Sequence, residues 1–355
     1  MKLETKLDKM TGSDKLYPKA RPLLLKRNSR ILGTGSGVPD EVITNQDIID
    51  EFGLLATDRA VQFSLGISER RRGPHTEKVS YYLTRAAKES LSRAGILPEK
   101  IDRIIYSRLF GEHLIPANSL EVIKRLGLKT GIPVMDISAA CSGFMHALEL
   151  GLACINTGDD YVLILGGDRS AISSQAAVSI DTRTIFLNGD GFAAALLGPS
   201  DENNFKASYF YTDSSIGDFA TIPFGSALLN SSENLEDNMF NLDMPNGQNI
   251  HKSVLDSCRI ISNRLFDASG LSIDDIDFFI TSDQTAHVWR DQVKLLGLTE
   301  DQSVSCFHKY GNTVAAMAPL NLHEAIITDK LKRGMQVLMM AHGAGASGGG
   351  FIFTY

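Results

Sequence analysis

"SRAGILPEKIDRIIYSR" (residues 92–108) has a near echo later in the chain, "FDASGLSIDDIDFFITSD" (266–283). Each reads as a helix end, a glycine stop, an acidic turn and a buried apolar strand. The likeness carries on. Helical stretches ending "VIKRLGLK" (122–129) and "QVKLLGLT" (292–299) come next, followed by short strands "PVMDIS" (133–138) and "QSVSCF" (302–307). Small-residue turns then lead into the helices "GFMHALELGLACI" (143–155) and "AAMAPLNLHEAII" (315–327), and apolar strands "DYVLILGGD" and "MQVLMMAHG" close each copy. A repeat of this kind means two copies of one α/β unit. Ile101 and Ile276 are 175 residues apart, and Cys141 and Asn312 are 171 apart. The chain therefore divides into an extension (1–29), a first half (30–200) and a second half (201–355). Apolar strands alternating with amphipathic helices predict sheets covered by helices. Two such halves packed face to face make a layered α/β/α/β/α body.

The repeat puts Cys141 and Asn312 at equivalent strand-to-helix turns, which a pseudo-two-fold axis can bring together. Cys141 lies in "DISAACSGF" (136–144). A helix beginning at about Ser142 would aim unpaired N–H groups and a partial positive charge at the thiol. That favours thiolate, and the same N–H groups can hold the oxygen of a thioester as it becomes tetrahedral. Ala139, Ala140 and Gly143 leave room for an acyl chain. A tight buried turn needs small residues too, and core packing is the commoner reason for a free cysteine, so the partners of Cys141 must decide.

The bulk properties narrow the field. With 43% hydrophobic and 22% charged residues over 355 positions, the chain is of ordinary globular composition and long enough for a large core. A net charge of −7 argues against a nucleic-acid binder. No apolar run reaches membrane-span length, and the lysine-rich N-terminus lacks the apolar core of a secretory signal. Residues 1–29 read as a basic, solvated extension. Cys141, Cys154, Cys258 and Cys306 show no CxxC spacing. That excludes a recognisable zinc or disulfide framework, leaves no metal site to expect, and fits a reducing cytoplasm.

Several motifs together carry a family resemblance. "DISAACSGF" resembles the nucleophile motif of the β-ketoacyl-acyl-carrier-protein synthase III group of the thiolase superfamily, and "YGNTVAA" (310–316) its asparagine motif. "LNGDGFAAALL" (187–197), "ILGTGSGVPDEVITNQDI" (31–48) and "GISERR" (66–71) resemble further signatures. The resemblance implies the five-layered thiolase fold, a homodimer and a covalent acyl-cysteine intermediate. It makes Cys141 the nucleophile and Asn312 an oxyanion donor. The Gly-rich turn in "MMAHGAGASGGG" (339–350) resembles the family's C-terminal turn, which assigns the acyl oxyanion N–H to Ala344.

Two departures stand out. The family's catalytic histidine falls in "DFFITSDQTAHVW" (277–289), where counting from the strand and back from Asn312 both give Ser282. A one-residue shift would give Asp283. Serine can donate a hydrogen bond but is no base at neutral pH; an inward Asp283 would oppose an enolate and serve better as a base. His342 stands where the family usually has an aromatic residue. It reads either as a relocated base or as a ring filling that volume. His287 reads as a surface or tunnel-wall residue. His75, His113, His146, His251, His308 and His323 read as surface or capping histidines. The second departure is in "TDRAVQFSLGISERR" (57–71): the family's adenine-gripping Trp is absent, Ser64 replaces its Arg, and the only tryptophan is Trp289. The coenzyme A handle is thus weakened, and a carrier-protein-bound acyl group becomes the expected donor. Arg290 and Lys294 could meet an acidic carrier, or lie on a solvated helix face.

The leading reading is a synthase III-like acyltransferase that loads Cys141 from an acyl thioester and passes the acyl group on, in fatty-acid-like or polyketide metabolism. No resident cofactor is implied, since phosphopantetheine or coenzyme A is only the substrate's handle. Alternatives are a non-decarboxylating O- or N-acyltransferase, a thioesterase-like hydrolase, and a non-catalytic partner subunit.

Overall fold

The computed structural model describes residues 17–74, 76–128, 131–171, 184–222, 242, 244 and 247–355. His75 lies outside them. Five strands, β1 (Ser29–Ser36), β4 (Arg103–Ser107), β5 (Val134–Ile137), β6 (Val162–Asp168) and β7 (Gly191–Pro199), form one sheet in the order β1-β7-β6-β4-β5. Four more, β8 (Phe205–Thr212), β9 (Phe278–Thr281), β10 (Gln336–Gly343) and β11 (Ser347–Thr354), form a second in the order β8-β11-β10-β9. In each sheet the last strand in chain order, β7 or β11, runs antiparallel to both its neighbours, while β6 lies parallel to β4 and β10 parallel to β9. The second sheet repeats the first strand for strand, up to the fifth. There the expected strand in "QSVSCF" shrinks to one parallel bridge, Phe279 to Ser303. The Ser303 hydroxyl donates to the Phe279 carbonyl and accepts from the Trp289 indole, both at 2.9 Å. The chain then turns into the short helix α8 (Phe307–Tyr310).

The hydrophobic clusters define the layers. Helices α3 (Val79–Ala94) and α4 (Ser119–Leu126) cover the outer face of the first sheet through Leu83, Ala87 and Val122. Helices α6 (Gly247–Ser269) and α7 (Ala286–Leu296) cover the outer face of the second through Cys258, Ile261, Trp289 and Val293. Between the sheets lie α5 (Gly143–Thr157) and α9 (Met317–Ile327). Phe144, Leu148 and Leu152 of α5 and Leu322 of α9 share one core with Ile164 of the first sheet and Met339 and Phe351 of the second. This is the five-layered αβαβα thiolase architecture. The glycine stops behave as read: Gly95, Gly127, Gly270 and Gly297 all sit in the left-handed region at φ 66–77°.

A small cap stands beside the sheets, made of β2 (Val42–Thr44), β3 (Glu69–Arg71), α1 (Asn45–Phe52) and α2 (Asp58–Leu65). Arg70 holds it down. Its guanidinium is fully buried and donates to the carbonyls of Ile43 (3.2 Å) and Phe186 (2.9 Å) and to the side-chain oxygen of Asn45 (2.6 Å).

One expectation is corrected. Residues 17–28 are not a solvated arm but a strap that crosses the molecule. Tyr17 stacks edge-on against Tyr211 at 5.0 Å, and the Tyr209 hydroxyl donates to the Pro18 carbonyl at 3.0 Å. Leu23 and Leu25 pack on the central core. Arg27 donates to the carbonyl of Ile155 in the last turn of α5 (3.0 Å) and to that of Asp159 just beyond it (2.7 Å). The apolar and aromatic residues among the lysines do the docking. Residues 1–16 lie outside the described residues.

The glycine-rich run in "ILGTGSGV" has a packing cause. Helix α3 lies so close on β1 that a methyl at Gly35 would stand 2.1 Å from the Ala86 carbonyl oxygen, and one at Gly33 2.3 Å from that of Ser90. The obstacle is backbone, which cannot rotate aside. We expect Gly35→Ala to destabilise the fold by about 3 kcal/mol, read as a lower denaturation midpoint; an unchanged midpoint would contradict this packing.

Candidate active site

Strand β5 ends at Ile137, and one helical turn (Ala140–Ser142) leads into α5. Ala140 is forced to φ 46°, unusual for a residue with a side chain, and Cys141 follows at once. The close neighbours explain the small residues. A methyl at Gly143 would stand 2.0 Å from the Ser107 hydroxyl at the end of β4. Gly143 therefore serves close helix–strand packing and not, as its size suggested, passage of an acyl chain.

Asn312 is set by a second pair of motifs. Its N–H donates to the Leu187 carbonyl at 2.8 Å, and its carbonyl accepts from Gly189 N–H at 3.2 Å. A methyl at Gly189 would stand 2.1 Å from the Tyr310 carbonyl, so "LNGDG" and "YGN" interlock through that glycine. The side-chain oxygen of Asn312 accepts from Val314 N–H at 2.9 Å, which turns the amide NH2 outward, and this side chain hydrogen-bonds the Cys141 thiol. The two turns thus meet. Their equivalence is looser than the sequence suggested. The counterpart of strained Ala140 is Val314, at φ 53°, with α9 beginning three residues later just as α5 does. By backbone position Ala315 matches Cys141, and Asn312 reaches the thiol from three residues upstream.

The Gly-rich turn closes the site from the second sheet. A methyl at Gly343 would stand 3.1 Å from Cys141 N and 2.9 Å from Ser142 N. Ala344 follows and is exposed. Ser142 Oγ lies 2.9 Å from Ser347 Oγ just beyond the turn, and the latter is 3.4 Å from His146 Nε2. Ser347 and His146 are neighbours the sequence reading missed; nothing in their spacing marks them.

Ser282 is buried at the end of β9, and its hydroxyl accepts from His342 N–H at 3.2 Å. Its own proton is left free to donate. Asp283 is also buried but tied elsewhere: its Oδ2 accepts from Asn321 Nδ2 of α9 at 2.9 Å. Burial pushes its carboxyl up to about 7. The His342 ring is not brought to Cys141. Leu338 and Met340 of β10 join the α6 side of the sheet while Met339 and Ala341 join the central core. His342 follows the former, with Nε2 3.3 Å from Ser253 Oγ on α6. Burial pushes the imidazole down to about 4, so it is neutral at pH 7. Of its two readings, these contacts favour the ring that fills a volume.

Around the cap, Phe63 is 84% exposed on α2, and His287 Nε2 meets its carbonyl at 2.9 Å. His287, Arg290 and Lys294 share an exposed side of α7; Arg290 pairs with Glu300 at 3.6 Å. Ser64 keeps its hydroxyl on the Val61 carbonyl. His323 is buried rather than at the surface, between Thr34 (3.0 Å) and Glu89 (3.4 Å). His251 pairs with Asp291 at 2.9 Å. His308 Nδ1 contacts the Ser305 carbonyl at 3.2 Å, and the His113 N–H donates to Asn118 at 3.1 Å. Among the described residues no His, Cys, Asp or Glu group could hold a metal ion.

The helix N-terminus does not win at Cys141. Burial pushes the thiol up to about 11, against the lowering effect of its own backbone N–H and of Asn312. Cys141 rests as a thiol with a hydrogen-bonded amide beside it.

The C-terminal model of 3-oxoacyl-acyl-carrier-protein synthase III matches residues 266–355, and a second model of that synthase matches residues 135–214. β-Ketoacyl-acyl-carrier-protein synthase III 1 of Vibrio vulnificus is 31% identical over 328 residues, covering 92% of this chain and 99% of that protein. The Shewanella oneidensis synthase III is also 31% identical, over 92% of this chain and all of its own. The crystal structure of 3-oxoacyl-acyl-carrier-protein synthase III from Aquifex aeolicus superposes with a TM-score of 0.81 at 29% identity, covering 92% of this chain and 100% of its own. A priming β-ketosynthase of a polyketide pathway gives 0.83 at 26% identity, covering 95% and 98%.

The raised thiol sets a pH test. Below its pKa the thiolate fraction rises tenfold per unit. Alkylation of Cys141 by iodoacetamide should therefore accelerate about tenfold per pH unit between pH 7 and 10. A plateau beginning near pH 8 would mean a preformed thiolate. Asn312→Ala should slow the reaction at every pH in that range, because it removes a group that favours the thiolate.

Proposed function

Because the chain belongs to the 3-oxoacyl-acyl-carrier-protein synthase III family, we propose that it loads an acyl group from a thioester onto Cys141 and joins it to a carrier-protein-bound malonyl unit. It is an acyl-transferring condensing enzyme of fatty-acid or polyketide priming. The observation that carries the reading is the Asn312 amide on the Cys141 thiol, beneath the Gly343–Ala344 turn. An inactive partner subunit has no use for that pair.

In the first step Cys141 Sγ attacks the thioester carbonyl. The oxygen gathers charge, and in this reading the backbone N–H groups of Cys141 and Ala344 hold it. With its pKa near 11, the thiol gives up its proton only as the C–S bond forms. The departing thiolate takes that proton and leaves as a thiol. In the second step the malonyl thioester loses CO2 and becomes an enolate. The Asn312 amide and the Ser282 hydroxyl each donate one hydrogen bond to its oxygen. The enolate carbon attacks the acyl-cysteine carbonyl, the β-keto thioester forms, and the Cys141 thiolate is expelled and reprotonated. Ser282 acts as a neutral donor because its oxygen already accepts from His342 N–H.

The phosphopantetheine arm is substrate here and no resident cofactor takes part. A carrier protein suits the exposed basic side of α7 and the lack of Trp in the cap. Four unpaired cysteines fit a reducing cytoplasm, and among the described residues no helix is long and apolar enough to cross a membrane. A homodimer is supported by the loop between β4 and α4. Asp168 Oδ2 accepts the N–H groups of Leu109 (3.0 Å), Phe110 (2.6 Å) and Gly111 (2.8 Å), which stiffens the loop. Yet Leu114 and Ile115 stand 69% and 85% exposed on it, beside β5 at the edge of its sheet. Ordered apolar side chains at a sheet edge are what a partner covers. A non-decarboxylating O- or N-acyltransferase remains the second reading, favoured by serine in the histidine position.

Three outcomes are expected. Intact-mass measurement should show an acyl adduct on the native chain and none on Cys141→Ala; a native chain that stays unmodified with coenzyme A and carrier-protein thioesters alike would end the reading. Malonyl decarboxylation should be slow and should rise in Ser282→His, by up to roughly a hundredfold where the ring fits, while His342→Phe should leave loading intact. Brisk decarboxylation by the native chain would show that Ser282 is no handicap. Ile115→Asp should shift the sedimenting species from dimer to monomer.

A further inference from the structure

The turn beside Cys141 is backbone under tension. Gly345 sits at φ 77° and Ala346 at φ 50°, and a residue with a side chain does not hold that conformation unaided. What holds it comes from outside the turn. Asp213 N–H donates to the Ala346 carbonyl at 3.1 Å. Ser347 reaches Ser142 at 2.9 Å, one residue from the nucleophile. Asp213 is itself clamped: Oδ1 accepts from Ser215 N–H (2.9 Å) and hydroxyl (2.6 Å), and Oδ2 accepts from the Tyr17 hydroxyl at 2.5 Å.

Tyr17 belongs to the N-terminal strap, far from Asp213 in sequence. Three contacts fix it there. Its ring lies edge-on to Tyr211, its carbonyl accepts from Arg264 at 3.4 Å, and the next carbonyl accepts from Tyr209 at 3.0 Å. Tyr209 and Tyr211 are on β8, whose last residue, Thr212, pairs with Ser347. The strap therefore grips the end of β8 at the point where that strand meets the turn.

We propose that Tyr17 is a positioning residue for the oxyanion turn: through Asp213 it holds Ala346, and so the Ala344 N–H, in place over Cys141. The proposal rests on the reading that Cys141 is acylated. It asks nothing of substrate binding, so its signature is a change in the rate of acylation at saturating thioester without a change in KM.

Two full-length variants separate this role from ordinary strap packing. Tyr17→Phe keeps the ring and removes only the hydroxyl. Arg27→Ala loosens the strap at its other end, away from the turn. In single-turnover acyl loading we expect Tyr17→Phe to be about three- to tenfold slower with KM unchanged, the size of one hydrogen bond lost from a positioning chain. Arg27→Ala should load at the native rate. Amide hydrogen exchange at residues 345–347 should quicken in Tyr17→Phe and not in Arg27→Ala. Asp213→Ala should cost more than Tyr17→Phe, and the double variant no more than Asp213→Ala alone. Native loading and native exchange in Tyr17→Phe would overturn the proposal. So would equal losses in Tyr17→Phe and Arg27→Ala. Were the native chain to load no thioester at all, the catalytic reading would fall, and the exchange comparison would still decide whether Tyr17 holds the turn.

Discussion

Two helices lie between two sheets, and nearly everything else follows from that burial. Most of the length of α5 and α9 faces apolar strands on both sides, so these helices can carry little chemistry along it. A polar side chain there needs a partner, as Asn321 has in Asp283 and the Thr281 carbonyl, and His323 in Thr34 and Glu89. Only the helix starts offer both free N–H groups and an approach. The Cys141 thiol and the Asn312 amide that bonds it accordingly sit just before those starts.

Placement at a helix start usually argues for an activated cysteine, and here two physical effects oppose each other. The terminal N–H groups and the Asn312 amide favour thiolate; removal from water disfavours it. Desolvation wins, and the thiol rests at about 11. A protonated nucleophile suits a reaction whose leaving group is itself a thiol, since the proton travels from one sulfur to the other and no external base is required. That removes the need for a basic histidine in the loading step, and it accords with a His342 ring neutral and turned toward α6. In the proposed condensation, serine in place of the family's histidine bears on the second step alone, where charge develops on an enolate oxygen.

Much of this was legible in residue patterns. The matched glycine stops announced paired helix ends, and apolar runs of strand length between amphipathic helices announced covered sheets. Cys141 and Asn312 stood out because small residues and strand-to-helix turns surround both. Other features left no trace. The strand expected at "QSVSCF" is lost to one serine that bonds both Phe279 and Trp289. The lysine-rich extension reads as solvated because charge dominates its composition, yet over residues 17–28 Tyr17, Leu23, Leu25 and one guanidinium nitrogen of Arg27, shared by two carbonyls, dock it. The small size of Gly143 suggests space for substrate, but its neighbour is Ser107.

Sequence alone determined the duplication, the layer order and the pair of small-residue turns that meet at Cys141 and Asn312, because these rest on periodicity, glycine stops and residue size, all local properties. Tertiary structure alone decided which way His342 faces, that Asp283 is claimed by Asn321, that Ala315 and not Asn312 mirrors Cys141, and that a strap of residues 17–28 reaches the glycine-rich turn beside Cys141. Each of these depends on contacts between segments distant in sequence, where a single hydrogen bond or a single strand face outweighs any local preference.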